Sequence, residues 1–292
     1  MFVFEITIPG TWIDSDDRDW AWQIEGQLRS LESQFFEANA ALNLFASVQS
    51  IRPSFAGHEA WERDSQRRAE IQRAVEQEIG SRMSHENWDA IRFETEVRFK
   101  REKWANGAIP REFEHNLPFI YARAFLYALD AFDKFLGVLA KEPDVPPRIS
   151  ELKQQIATEF PDLREVRNTS QHLEDRSRGL GAGRNPQPLE LKPIANNFIN
   201  APGGALVLNC LNGSKYGSTM SDGHYGEVDV SPESMQRLQS ILQELLSLFK
   251  WRGPMRHAPQ LLRLNLSVEL ANNGSQRLSG FAMPVMPFSL QR

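Results

Sequence analysis

One short stretch of this sequence carries residues suited to chemistry at phosphorus: Arg167, Asn168 and His172. A guanidinium is a permanent, planar cation whose donors match the oxygens of a phosphate. An imidazole exchanges its proton near neutral pH and can serve as general base or general acid. These groups suit cleavage of RNA without a metal. The ribose 2′-oxygen attacks the neighbouring phosphorus, a base takes the 2′ proton, an acid protonates the departing 5′-oxygen, and a cation stabilises the phosphorane. Asn168 lies four residues before His172, on the same helical face, and can orient the imidazole or the phosphate. One copy offers one His for two proton transfers, and Arg167 stands roughly 140° round the helix from it. A two-fold dimer that apposes two such helices supplies two of each group in one cleft.

The spacing predicts that the three residues ride on a single helix over 161–178. Pro161 is placed as its first residue, Asp162 and Glu165 sit at its positive end, Arg176 and Arg178 at its negative end, and Gly179 is a natural stop. Leu163, Val166, Ser170 and Leu173 form the stripe that faces a core, flanked by Arg167, Asn168 and His172. A purely structural reading competes. Here Arg167 pairs with Gln171, and His172 with Asp175 and Arg176, as a surface ladder.

The run Arg167-Asn168-Thr169-Ser170-Gln171-His172 resembles the signature of the HEPN family, in which an Arg, a polar residue, three further residues and a His stand on the last helix of a bundle. Two other arginines precede a His at comparable spacing, Arg52 before His58 and Arg252 before His257, but Pro53 and Gly253 follow them and no regular helix can present them. The resemblance implies an antiparallel helical bundle, a homodimer and a metal-independent endoribonuclease of a defence or stress-response, toxin-like system. It further implies Arg167, His172 and Asn168 as catalytic residues, an RNA substrate, and an antitoxin or other regulatory protein as a possible partner. The alternative of the same architecture is a non-catalytic module for protein interaction or RNA binding, with the motif helix as its dimer interface.

Composition narrows the classes. Hydrophobic residues make up 41% and charged residues 24% of the 292, as in ordinary globular proteins. Cys210 is the single cysteine, so no intramolecular disulfide and no cysteine-based zinc cluster can form. Leu206, Val207, Leu208 and Leu211 around it predict a small buried hydrophobe. The N-terminal Met-Phe-Val-Phe-Glu-Ile-Thr-Ile-Pro lacks a basic region and a cleavage site, and no apolar run reaches membrane-spanning length, so a cytoplasmic location without a membrane partner is expected. The net charge of −5 argues against an extended nucleic-acid-binding surface. No Gly-x-Ser-x-Gly element supports serine hydrolysis, and the carboxylates and histidines show no metal-ligand spacing. No cofactor and no metal are expected. His58, His85, His115 and His224 read as solvated.

The elements that must position the motif can be read around it. Alternation over residues 2–8 predicts a strand ending at Pro9-Gly10. The acidic run Asp14–Asp19 opens a long amphipathic helix whose stripe includes Trp20, Leu28, Phe35 and Phe45, with Pro53 as its end. Two highly charged helices follow over 58–82 and 85–105, the second capped by Ser84. Phe119 to Ala140 leaves little polar face and predicts a rod buried nearly all round, with Arg123, Asp130, Asp133 and Lys134 as its few charges. Another helix starts at Ile149. Beyond Gly179 the residues 181–200 read as a linker and 201–292 as a small α+β subdomain packed on the 1–180 bundle. Strands are expected at 205–211, 214–220 and 224–230, with Asn212-Gly213 as a type I′ turn, then a helix over 232–250 and a strand over 261–270 beside the N-terminal one. The expected fold is mainly α, α+β overall: an antiparallel HEPN-like bundle with a C-terminal β-meander and helix.

Overall fold

The computed structural model describes residues 1–50, 57–79 and 85–260. Two short strands open the chain, β1 (Ile6–Ile8) and β2 (Trp12–Ile13). The first is shorter than its alternation suggests. Phe2 is tied to the first helix instead, its N–H donating to Asn43 Oδ1 at 2.6 Å while Asn39 and Asn43 donate to its carbonyl at 3.1 and 2.8 Å. That helix, α1 (Arg18–Ser50), begins at the acidic run, where Asp17 Oδ1 accepts the N–H groups of Asp19 and Trp20 at 3.1 and 3.0 Å. The contacts satisfy donors that a first turn leaves open. Leu28, Leu31, Phe35, Leu42 and Phe45 bury the stripe.

Helices α2 (His58–Ile79) and α3 (His85–Ala105) pack on one another. Their shared core is small, Ile71, Val75, Ile91 and Phe99, and is separate from the main one. Pro53 and Ser84, the expected stop and cap, lie outside the described residues, as does the strand expected over 261–270. Helix α4 (Arg111–Leu139) starts well before Phe119, in exposed turns where Pro118 is accommodated within the helix. Phe125, Leu126, Leu129, Phe132, Leu136 and Leu139 are buried, and α1 lies along them in the largest helix contact of the fold. The rod is central but not buried all round: Ile120 and Val138 are exposed. Helix α5 (Arg148–Glu159) buries Ile149, Leu152 and Ile156.

The motif region departs most from its expected form. Pro161 and Asp162 make a turn, with Leu163 N–H donating to Phe160 O at 3.2 Å, so the helix starts two residues late. Helix α6 (Leu163–Gln171) then breaks at His172, which has φ −122° and ψ 43°, and the single turn α7 (Leu173–Arg176) follows. The break has a local cause. Asn168, Thr169 and Ser170 are weak helix formers whose side chains compete with the backbone for hydrogen bonds. Ser170 Oγ donates back to Val166 O at 3.0 Å, and His172 N–H is shared between Asn168 O and Thr169 O at 3.1 and 3.2 Å. Gly179, with φ +72°, closes the region as expected.

After a two-residue pair, β3 (Ile194–Ala195) with β4 (Asn200–Ala201), the chain forms an antiparallel meander in the order β5 (Cys210–Asn212), β6 (Lys215–Thr219) and β7 (Tyr225–Asp229). Residues 205–209, expected in the first strand, have no ladder because Asn209 adopts a positive φ of 48°. The turn also shifts by one residue: Asn212 pairs with Lys215, and positive φ falls on Gly213 but not Asn212, which excludes a type I′ Asn-Gly pair. Cys210 is half-buried rather than a core residue. Helix α8 (Pro232–Ser247) is capped by Ser231, whose Oγ accepts Ser234 N–H at 3.2 Å. Strands β8 (Trp251–Arg252) and β9 (Arg256–Ala258) return to pair with β2 and β1. One apolar core runs from Ile6 through the bundle to Tyr216, Val228, α8 and Ala258. Met1–Pro259 thus forms one compact unit, mainly α with small antiparallel sheets. No helix among the described residues is long and apolar enough to cross a membrane.

Candidate functional site

Helix α6 is gripped from two sides. On one, Thr169 Oγ1 donates to Thr219 O at 3.2 Å, and Ser170 Oγ lies 3.1 Å from Tyr216 Oη, all of them buried. Tyr216 Oη in turn donates to Asn209 Oδ1. Ser221 Oγ donates to Glu165 Oε2 at 2.6 Å, and Glu227 N–H to Asp162 Oδ2 at 3.0 Å. The meander therefore fixes both the start and the middle of the helix. Burial pushes the Tyr216 phenol up from its ordinary pKa, against a smaller lowering by Ser170.

On the other side stands α4, and here Arg167 finds its partner. Its Nε and Nη2 lie 2.9 and 3.1 Å from the two carboxylate oxygens of Asp130, and Nη1 donates to Gln171 Oε1 at 2.6 Å. The Gln171 contact is the one expected at i,i+4, whereas Asp130 comes from another helix. Both members are largely enclosed, with side chains 12% and 9% exposed, so Arg167 is not the surface cation that its place beside the stripe suggested. Asp130 also receives Lys134 Nζ at 2.7 Å. A guanidinium has five N–H donors. Two form hydrogen bonds, one from Nη1 and one from Nη2, while Nε lies at ion-pair distance from Asp130 without a hydrogen-bond partner among the described residues, and a second N–H remains on each of Nη1 and Nη2.

Asn168 does not orient the imidazole. Its amide nitrogen points to Glu165 Oε1 at 3.3 Å. His172, at the helix break, is 58% exposed, and its Nδ1 is 3.6 Å from Glu174 Oε1 rather than from Asp175 or Arg176. Arg176 has turned inward: it is buried, with Nη1 donating to the carbonyls of Leu180 and Gly181 at 2.7 and 2.6 Å. The break also brings ligand atoms of His172, Glu174 and Asp175 within 4.8 Å of one another, a grouping not anticipated from spacing. Asp175 is already paired with Arg178 at 2.5 Å.

Arg167 and Asn168 line a cleft of about 610 Å³ formed by α4, α5, α6 and the turn after α4. Lys134, Lys141, Lys153 and Arg164 share it, with Asp130 and Asp133 as its carboxylates. His172 is not part of this lining. Structure thus places two of the three motif residues in the cleft and the third at a separate, exposed break. A signal for the missed residues was available. Asp130, Lys134, Gly137 and Lys141 recur at spacings of four, three and four, which marks one polar face on a rod with few other charges. Nothing in the local sequence indicated that α6 would lie against that face.

No family model matches the chain, and no curated protein and no solved structure matches it.

Proposed function

We propose that the chain is a metal-independent endoribonuclease of a defence or stress-response system, similar to the HEPN family, acting as a homodimer. The observation that carries the reading is the helix break: it leaves His172 exposed at the end of α6, while Arg167 is held against Asp130 on the same helix with an N–H to spare on each of Nη1 and Nη2. In a two-fold dimer through this end of α6, one His172 takes the 2′ proton as the 2′-oxygen bonds to phosphorus. The partner's copy protonates the 5′-oxygen as its bond to phosphorus breaks. The remaining Arg167 donors meet the charge on the phosphorane. Asp130 serves as a positioning residue, since it holds Nη2 by a hydrogen bond and Nε by charge. An antitoxin-like protein that covers His172 would act as regulator.

Incubation of RNA with the protein in EDTA tests this. Expected products carry 2′,3′-cyclic phosphate and 5′-hydroxyl ends, and DNA, which lacks the 2′-oxygen, is spared. His172→Ala lowers the rate by roughly 10²–10⁴, the usual worth of a general acid or base. Arg167→Lys rescues little of the Arg167→Ala loss because an ammonium cannot make the two-point contact. Cleavage that needs added Mg²⁺, or a double variant Arg167→Ala/His172→Ala as active as the parent, sinks the reading. A monomer that cleaves at full rate removes the composite site. A second reading, a non-catalytic interaction or RNA-binding module with α6 at its interface, draws on the same Arg167–Asp130 pair. A guanidinium so engaged also serves a purely structural purpose.

A further inference from the structure

The cleft beside Arg167 differs in charge from the rest of the molecule. Five cations, Lys134, Lys141, Lys153, Arg164 and Arg167, face the carboxylates Asp130 and Asp133. That is a local surplus of three in a chain of net charge −5. Neither carboxylate is left to repel an anion. Asp130 is occupied by Arg167 and Lys134, and Asp133 by Lys153. Lys141 and Arg164 are exposed at the cleft, and their side chains have no partner among the described residues. With the two spare N–H groups of Arg167, the unspent donors come from three residues on two elements: Lys141 in the turn after α4, and Arg164 and Arg167 on α6. A surplus of cations converging from separate elements is the footprint of an anion site, and guanidinium with ammonium is the pairing that suits phosphate. The volume of about 610 Å³ fits a small ligand or one segment of a longer one.

We propose that this cleft binds the phosphate of a nucleotide unit, with Lys141 and Arg164 as its principal contacts and Arg167 as the link to the cleavage site. The preference for nucleotide over other phosphates rests on the ribonuclease reading; the anion site itself rests on the cleft alone. Either the backbone of single-stranded RNA or a free nucleotide can supply the group.

The test is fluorescence anisotropy of a labelled, short single-stranded oligoribonucleotide with the full chain carrying His172→Ala, which prevents turnover. AMP and inorganic phosphate serve as competitors. The oligonucleotide binds, and Lys141→Glu/Arg164→Glu weakens it by about tenfold or more and flattens the dependence of affinity on salt, by roughly 0.7 in log–log slope for each lost phosphate contact. Lys141→Gln/Arg164→Gln gives a smaller loss of the same kind, and circular dichroism confirms that both pairs of exposed changes leave the fold intact. If AMP binds as tightly as the oligonucleotide, with the same dependence on Lys141 and Arg164, the phosphate comes from a free nucleotide and the site stands. If the charge reversal alters neither affinity nor salt dependence, or none of the three probes binds, the proposal is overturned. Phosphate binding by a parent protein that cleaves no RNA retains the cleft and removes the ribonuclease. Cleavage in EDTA that is indifferent to both substitutions, with unchanged binding, does the reverse.

Discussion

Helices α6 and α3 are both rich in charged residues, yet they are held by different physics. Of the nine residues of α6, Glu165, Arg167, Thr169 and Ser170 each reach a partner far away in the chain: Ser221, Asp130, Thr219 and Tyr216. Most of these contacts are enclosed, where a hydrogen bond lost on one side leaves a costly orphan on the other. The pair α2–α3 relies on a four-residue apolar cluster and on exposed ion pairs across its two helices, Arg67 with Glu102 at 2.8 Å, Arg98 with Glu78 at 2.6 Å and Lys103 with Asp64 at 3.0 Å. Exposed pairs gain little because water and salt screen them. Order in α6 is thus specified by buried partners, and order in the arm by many weak ones. A site that needs a guanidinium in one orientation belongs on the first kind of helix.

The strongest way to break this contrast is to remove the buried carboxylate. Asp130→Ala leaves Arg167 largely enclosed with only Gln171 beside it. Loss of one member of such a pair costs about 3–5 kcal/mol. Urea unfolding is expected to shift to lower midpoint without a change in slope. Asp130→Asn, which keeps the shape and one acceptor, is expected to lose less. A shift of neither variant would mean that the pair is solvated and that Arg167 is free to move.

A smaller effect is expected on the opposite side of α6. Tyr216→Phe removes the contacts to Ser170 and Asn209, for about 1–3 kcal/mol. It also changes the alkaline limb of stability. Burial raises the Tyr216 phenol, so the neutral form is favoured in the folded state. The associated stability is complete below the ordinary tyrosine pKa of about 10 and is lost as pH rises through the higher folded value. Tyr225, raised chiefly by burial and then by Cys210 and Glu227, titrates in the same sense. Stability measured from pH 8 to 12 should therefore decline above pH 10 in the parent and less steeply in Tyr216→Phe. Equal slopes would show that the phenol is hydrated.

These contacts also mark how far the sequence could be read. Periodicity located α1, α5, α8 and the last two strands of the meander, because an apolar stripe at helical spacing or an alternating run has to bury itself. The identity of the motif helix followed from Arg167 and His172, and Gln171 was reachable as an i,i+4 neighbour. Asp130 was not, since it lies 37 residues away and depends on how α6 docks against α4. The break at His172 is foreshadowed by Asn168-Thr169-Ser170, which disfavours a helix, but the apolar stripe through Leu173 points to a continuous one. Likewise, the turn at Gly213-Ser214 depended on strand register, which the dipeptide Asn212-Gly213 does not determine by itself.

The smallest effects belong to the arm, and they sharpen the comparison by timescale rather than by midpoint. Arg98 bridges Glu78 across the helices and Glu94 along its own, all near the surface, and the carboxylate of Glu78 is held below its usual range by hydrogen bonding to Arg98. The Glu78–Arg98 pair lies in an exposed setting, where 1 M salt reduces the screening length to about 3 Å. Arg98→Ala, or high salt in the parent, should leave the global unfolding midpoint unchanged within error. Native-state hydrogen exchange is expected to report the difference, because local opening occurs where buried contacts are few. Amides of α2 and α3 should exchange faster on addition of salt, while those of α6 keep their protection. Exchange in α6 that accelerates alongside the arm would show that its buried hydrogen bonds do not set its order, and the contrast between the two helices would fail.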